Sequence, residues 1–202
     1  MKKLLPFLKT NILTENASLF LLLGLAPLLG GTKTLATGAM LGLCAIFVLV
    51  LTGVSAALIG KLLPASVKNI SFMVIAAFYV TLCEILLSVF LPQIREGLGI
   101  YLPLLTVSGL VFSLAQSAEK ETVSAAALAA LGMGLGFFAA ALCLSFLREL
   151  FGSGTLFGLR IIPERYAMGA LVSPFGALVL FGLMIAAVRY INSKINKGDG
   201  EQ

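Results

Sequence analysis

The sequence predicts an all-α integral membrane protein, a single membrane domain over residues 1–202 with about six transmembrane helices. The helices form an inverted three-plus-three repeat, with broken first and fourth helices. Three observations predict this fold. Hydrophobic residues make up 59% of the chain and charged residues only 11%, against ~25% charged in soluble proteins. The apolar residues gather into about six blocks close to the ~20 residues that a spanning helix needs, which leaves no room for a separate catalytic module. Finally, Gly38-Ala-Met-Leu-Gly-Leu-Cys-Ala-Ile-Phe47 reads like Ala130-Leu-Gly-Met-Gly-Leu-Gly-Phe-Phe138, marking two halves at about 17–91 and about 99–191. Three spans per half bring the second half into the bilayer from the opposite side.

The first span, about 17–31, is interrupted by Gly24, Ala26 and Pro27. Proline removes an amide donor and clashes with the preceding turn. In a bilayer such a break is tolerated where other protein covers the freed backbone, so the segment is a short or broken helix inside a bundle. The second span, about 38–60, carries Gly38 and Gly42, and the fifth, about 123–148, carries Gly132, Gly134 and Gly136. Small residues four apart let two membrane helices approach closely. The third span, about 69–91, holds Glu84. A carboxylate at that depth costs ~2.5–3.5 kcal/mol on insertion scales, which makes it an ion-pathway candidate by default. The alternative is a structural carboxyl, protonated or bonded to Thr81 or Ser88. The fourth span, about 99–116, has its own small-residue break at Ser108-Gly109, and the sixth covers about 167–191.

With both termini on one side, nine cations fall on that side: Lys2, Lys3, Lys9, Lys61, Lys68, Lys120, Arg189, Lys194 and Lys197. Five fall on the other: Lys33, Arg95, Arg148, Arg160 and Arg165. Cytoplasmic loops carry the excess of Lys and Arg, so both termini are expected in the cytoplasm of a multi-pass protein of the bacterial or archaeal inner membrane. Met1–Lys9 reads as a cytoplasmic anchor, because no small-residue cleavage site follows a compact apolar core. The net charge of +5 fits loop lysines facing an anionic lipid bilayer. No basic stretch is interleaved with aromatics, so a nucleic-acid partner is not expected.

Cys44, Cys83 and Cys143 fall in apolar segments without a C-x-x-C spacing and read as small buried hydrophobes. Histidine is absent, which excludes histidine-ligated haem and the commonest zinc sites. Arg148-Glu149, Arg160, Glu164 and Arg165 lie at or beyond helix ends, where solvated rims or subunit contacts are the usual outcome. Gly152 and Gly154 fit a tight turn around Ser153-Gly-Thr155. With no nucleophile–base pair, phosphate loop or metal constellation, a self-sufficient enzyme is not expected.

The chain resembles a known family, the six-span, inverted-repeat membrane subunits of the Rnf ferredoxin:NAD oxidoreductase and of the sodium-pumping NADH:quinone oxidoreductase (Nqr). The resemblance rests on Gly24-Leu-Ala-Pro27, the glycine-rich second and fifth spans, Gly97-Leu-Gly-Ile-Tyr-Leu-Pro-Leu-Leu105 and Arg148-Glu-Leu-Phe-Gly-Ser-Gly-Thr-Leu-Phe-Gly158. It runs from about Leu8 to Arg189, and the last motif points to the Rnf E / Nqr D branch. It implies an ion-translocating electron transport complex in which this subunit pairs with a homologous subunit of opposite topology. In that pairing a 2Fe–2S cluster is held by cysteines from the broken helices of both partners. Here the ligand positions carry Ala26 and Ser108, the latter preceded by Val107, and Ser113 stands near a family arginine. Alanine has no donor and thiolate is the usual cluster ligand, so this chain alone is expected to bind no cofactor. The expected role is that of a scaffold or ion path. The alternative from another class is a six-span small-molecule transporter or substrate-binding module, such as the vitamin-capturing components of energy-coupling-factor systems.

Overall fold

The computed structural model describes residues 23–64, 66–156, 159–160, 163 and 168–198. A short helix, α1 (Leu25–Gly31), ends at Thr32. Thr34 then opens α2 (Leu35–Ile59). Its hydroxyl accepts the Thr37 amide while the Thr37 hydroxyl accepts the Thr34 amide, a reciprocal box that satisfies two otherwise orphaned donors. Helix α3 (Lys68–Phe90) runs into Leu91 and Pro92. Pro92 begins α4 (Pro92–Leu98), a position where the missing amide has no helical partner to lose. Gly99, at φ +49°, turns the chain out of α4 into two 3-10 turns, Gly99–Tyr101 and Pro103–Leu105. Ser108 is extended (φ −70°, ψ 144°) and α5 (Gly109–Ala118) starts immediately after it.

Thr122 caps α6 (Val123–Arg148) by accepting the Ala125 amide. The helix passes into one π turn, Glu149–Ser153, closed by Gly154 at φ +67°, a left-handed conformation that glycine adopts without a Cβ penalty. Two short strands, β1 (Thr155–Leu156) and β2 (Leu159–Arg160), pair antiparallel with Thr155 opposite Arg160. A 3-10 turn, Gly169–Val172, leads into α7 (Pro174–Gly198).

Among the described residues, three helices are long and apolar enough to cross a membrane: α2, α3, and α6 with its π extension. Helix α5 and the Pro174–Ala187 part of α7 are shorter apolar helices. The chain is thus a helical, multi-pass membrane protein. Its boundaries depart from the sequence expectation in three places. The expected fourth span is two 3-10 turns followed by a ten-residue helix, because Pro103 has no amide to continue a helix and Ser108 is extended. The sixth begins at Pro174, not near 167, since a proline ends the preceding turn. Arg95 and Glu96, expected in a connecting stretch, lie on α4. Residues 1–22, which hold the expected anchor and the first part of the first span, lie outside the described residues, as does the C-terminal end from 199 onward.

The centre of the molecule is the antiparallel pair α2 and α6. A Cβ on Gly38 would stand 2.5 Å from Ser145 Oγ, one on Gly42 2.4 Å from Phe138 Cδ2, one on Gly134 3.0 Å from Ile46 Cα, and one on Gly53 3.3 Å from Ala130 Cβ. The backbones therefore approach as closely as the absence of side chains allows. Gly132 and Gly136 are buried on α6. Around this seam Leu28, Leu41, Val48, Leu49, Phe137 and Leu144 are almost fully buried. A second cluster of small side chains, Ala56, Ala115, Ala118 and Ala126 against Phe72, closes one end.

Candidate functional site

The segments around the two expected breaks meet. A Cβ on Gly24 would press on Leu110 and Phe137, and one on Gly109 would press on Leu23, so the residues beside Ala26 and beside Ser108 pack directly together. The two candidate ligand positions face differently, however. Ala26 is exposed. Ser108 is 7% exposed and its hydroxyl donates to the Leu105 carbonyl at 2.7 Å. A methyl group and an already bonded hydroxyl do not fit an iron–sulfur cluster, which takes thiolates. Among the described residues no group of three or more His, Cys, Asp or Glu side chains could hold a metal ion.

What holds the C-terminal end of α1 in place is Arg148. Expected at a solvated rim or in a subunit contact, it is 1% exposed and is the largest fully buried side chain among the described residues. Its guanidinium donates to the Leu29 carbonyl at 2.7 Å and the Thr32 hydroxyl at 3.1 Å on one side. On the other it donates to the carbonyls of Leu171 at 3.3 Å and Val172 at 2.6 Å. Thr32 in turn donates to the Leu28 carbonyl at 2.6 Å. These carbonyls are the orphans that helix ends leave behind. Gly176, which a regular helix would bond back to Val172, instead donates to Ser173 Oγ at 3.3 Å. The planar five-donor fork of arginine matches this set, and its positive charge sits where the C-terminal end of α1 is negative.

Glu149, also expected at a rim, is 3% exposed. Its carboxylate accepts the Leu35 amide at the start of α2, where a helix N-terminus favours an anion. Adjacent residues of opposite charge thus bind the two helix ends that flank the 32–34 turn. Helix crossing explains the burial: α6 runs beside α2 along its whole length, so its last turn arrives beneath the start of α2 instead of at the solvent boundary. Gly30 completes the joint, because any Cβ there would overlap the Tyr101 ring. Lys33 Nζ stands 5.9 Å from the centroid of that ring.

The Glu84 carboxylate is not bonded to Thr81 or Ser88, whose hydroxyls donate to the backbone carbonyls of Ala77 and Glu84. Its carboxylate lies 3.6 Å from the Arg95 guanidinium on α4, with both side chains partly exposed. At the other end of α3, Lys68 pairs with Glu119 at 3.1 Å. Cys143 is exposed, which corrects the expectation of burial, whereas Cys44 and Cys83 are buried and line one hollow between α2 and α3. The Ser153-Gly-Thr155 stretch is the left-handed turn at Gly154. Arg160 is exposed on β2, and Glu164 and Arg165 lie outside the described residues.

Sequence reasoning missed the role of Arg148 and Glu149. The signal was present in the motif beginning at Arg148 and in Ser173-Pro174, a proline whose position leaves nearby carbonyls free.

A family model described as Rnf-Nqr subunit, membrane protein, matches residues 4–185. Among curated proteins, the chain is 31% identical over 160 residues to the E subunit of the Na(+)-translocating ferredoxin:NAD(+) oxidoreductase complex of Acetobacterium woodii, covering 79% of this chain and 82% of that one. It is 32% identical to the E subunit of the proton-translocating ferredoxin:NAD(+) oxidoreductase complex of Clostridium ljungdahlii, over 82% of this chain and 78% of that one. It is 31% identical to the D subunit of the Na(+)-translocating NADH-quinone reductase of Chlamydia trachomatis, over 81% of this chain and 77% of that one.

Proposed function

The chain belongs to the Rnf-Nqr family of membrane protein subunits, and from that premise we propose that it is a non-catalytic, E/D-type subunit of an ion-translocating electron transport complex. In this reading it sits in the inner membrane with both termini cytoplasmic. It pairs with a homologous subunit of opposite topology and completes the core around which the other subunits assemble. The observation that carries the scaffold role is the Arg148–Glu149 joint. It fixes the broken helix in place while Ala26 at the break offers no metal donor. The exposure of Ala26 and Val107 supports a seam with another subunit at that place.

The inverted repeat is supported by the central seam. Shifting residue numbers by 92 turns Gly42 into Gly134 and Ile46 into Phe138, so the contacts Gly42–Phe138 and Gly134–Ile46 exchange. The same shift exchanges Gly38–Ser145 with Ala130–Gly53. A pseudo-two-fold axis through the seam is the simplest geometry with that property.

Purification of the native assembly, with its subunits identified and iron measured by metal analysis and paramagnetic resonance, tests the reading. Co-purifying Rnf- or Nqr-type subunits are expected. Recovery of this chain alone with a bound small molecule would overturn it. The ion-path role falls to Glu84: Glu84→Gln is expected to impair ion pumping in reconstituted vesicles while leaving assembly intact, and normal pumping would remove Glu84 from the pathway.

A further inference from the structure

The pair Cys44 and Cys83 has no place in the scaffold reading. The two thiols come from different helices, α2 and α3, and are 7% and 5% exposed. Both stand in the wall of one hollow of about 210 Å³, lined by Leu43, Cys44, Phe47, Cys83, Leu86 and Leu87. The mouth is apolar and open: Leu43 is 52% exposed, Phe47 40% and Leu86 45%. Apart from the thiols the lining side chains are hydrocarbon, so water-soluble redox partners such as glutathione gain nothing there and would lose their hydration. A reagent that reaches the thiols must be apolar, and two neighbouring thiols give up two electrons and two protons together. A lipid-soluble quinone meets both requirements.

We infer that Cys44 and Cys83 are a redox-active dithiol, oxidised to an intrachain disulfide by a quinone that enters the hollow between α2 and α3. Both S–H bonds break and one S–S bond forms. The two electrons and two protons pass to the quinone, whose carbonyl oxygens become the hydroxyls of a hydroquinone. The reverse reaction returns the dithiol. The bond would staple α3, the least buried of the three long helices, to the central α2–α6 pair. Cys143, exposed and without a second thiol described beside it, is a control within the same chain.

The test uses the complex in membranes, reduced and then freed of reductant under anaerobic conditions. It is treated with a fully methyl-substituted benzoquinone, whose ring cannot be arylated by thiols. Free thiols are then trapped with a maleimide under denaturing conditions and mapped by mass spectrometry. The expected result is loss of label at Cys44 and Cys83 and retention at Cys143, with a linked peptide pair lighter by two hydrogens. In Cys44→Ser and Cys44→Ala the Cys83 thiol stays labelled, and glutathione disulfide in place of the quinone leaves the pair unlinked. Full labelling of Cys44 and Cys83 in the quinone-treated wild type would overturn the proposal, and so would linkage to Cys143. Equal linkage by glutathione disulfide would overturn apolar access.

Discussion

Arg148 ties two distant segments of the chain to the end of α6. Hydrogen bonds to a charged group contribute roughly 1.5–3 kcal/mol each, and four acceptors from two distant segments converge on one guanidinium. Removing it strands those acceptors away from water. Arg148→Ala is expected to destabilise the protein by about 3–5 kcal/mol, on the scale of breaking a buried charged interaction, read as a lower thermal midpoint and poor recovery of the complex. Arg148→Lys keeps the charge but replaces a fork with a point donor, and its midpoint is expected to fall between the two. Thr52 is the opposite case. Its hydroxyl is fully buried on α2 and has no hydrogen-bond partner among the described residues. Thr52→Val is expected to stabilise by about 1 kcal/mol, since an unsatisfied buried hydroxyl costs ~1–3 kcal/mol, measured as a raised unfolding midpoint in denaturing detergent. The motif beginning at Arg148 marks the residue in the sequence, but neither its bonding role nor that of Thr52 was read in advance. Hydropathy assigns a charge at a helix end to the rim, and the acceptors of Arg148 are backbone carbonyls that no side-chain pattern records.

Among the elements, the long helices were legible because length and apolarity suffice to define them. The path of α6 was not, since its burial depends on partners about a hundred residues away along the chain, and contacts of that separation leave no period in a single sequence. Glycine placement bridges the two levels. Gly42→Ile would drive a Cβ to 2.4 Å from Phe138 Cδ2 and 3.0 Å from its Cα, so the α2–α6 seam must open. The expected cost is about 1–3 kcal/mol, as in other overpacked interiors. Gly182→Ala on α7, where nothing lies within 4 Å, is expected to be neutral or to stabilise by roughly 0.5–1 kcal/mol. Thermal midpoints of the two variants side by side separate close packing from helix propensity. The candidate metal positions were readable only as a loss: the break survives in the sequence, while the donors Ala26 and Ser108 would need are absent.

For the whole molecule, composition places the chain in the bilayer, and the proposed topology follows from the count of cations. It predicts opposite faces for two positions. Lys120→Cys is expected to react with a membrane-impermeant maleimide only from the cytoplasmic side, and Lys33→Cys only from the other. Labelling of intact cells and of inverted vesicles checks both, and reaction of the two positions from one side would refute the arrangement. Lys33 lies beside the joint that Arg148 makes, so its accessibility also reports which face of the membrane that joint occupies.

The exchanged contacts across the central seam have the pattern of an isologous dimer interface, in which each patch meets its own image. In the proposed inverted repeat, two halves joined this way correspond to a homodimer whose protomers share one covalent chain. Every position on the seam then has a mate: enlarging Gly42 and enlarging Gly134 strain the same crossing from opposite sides. Their joint cost is expected to differ from the sum of the two, as it does for residues coupled through one contact. In that reading, tolerance to change along the α2–α6 seam is set in pairs of positions.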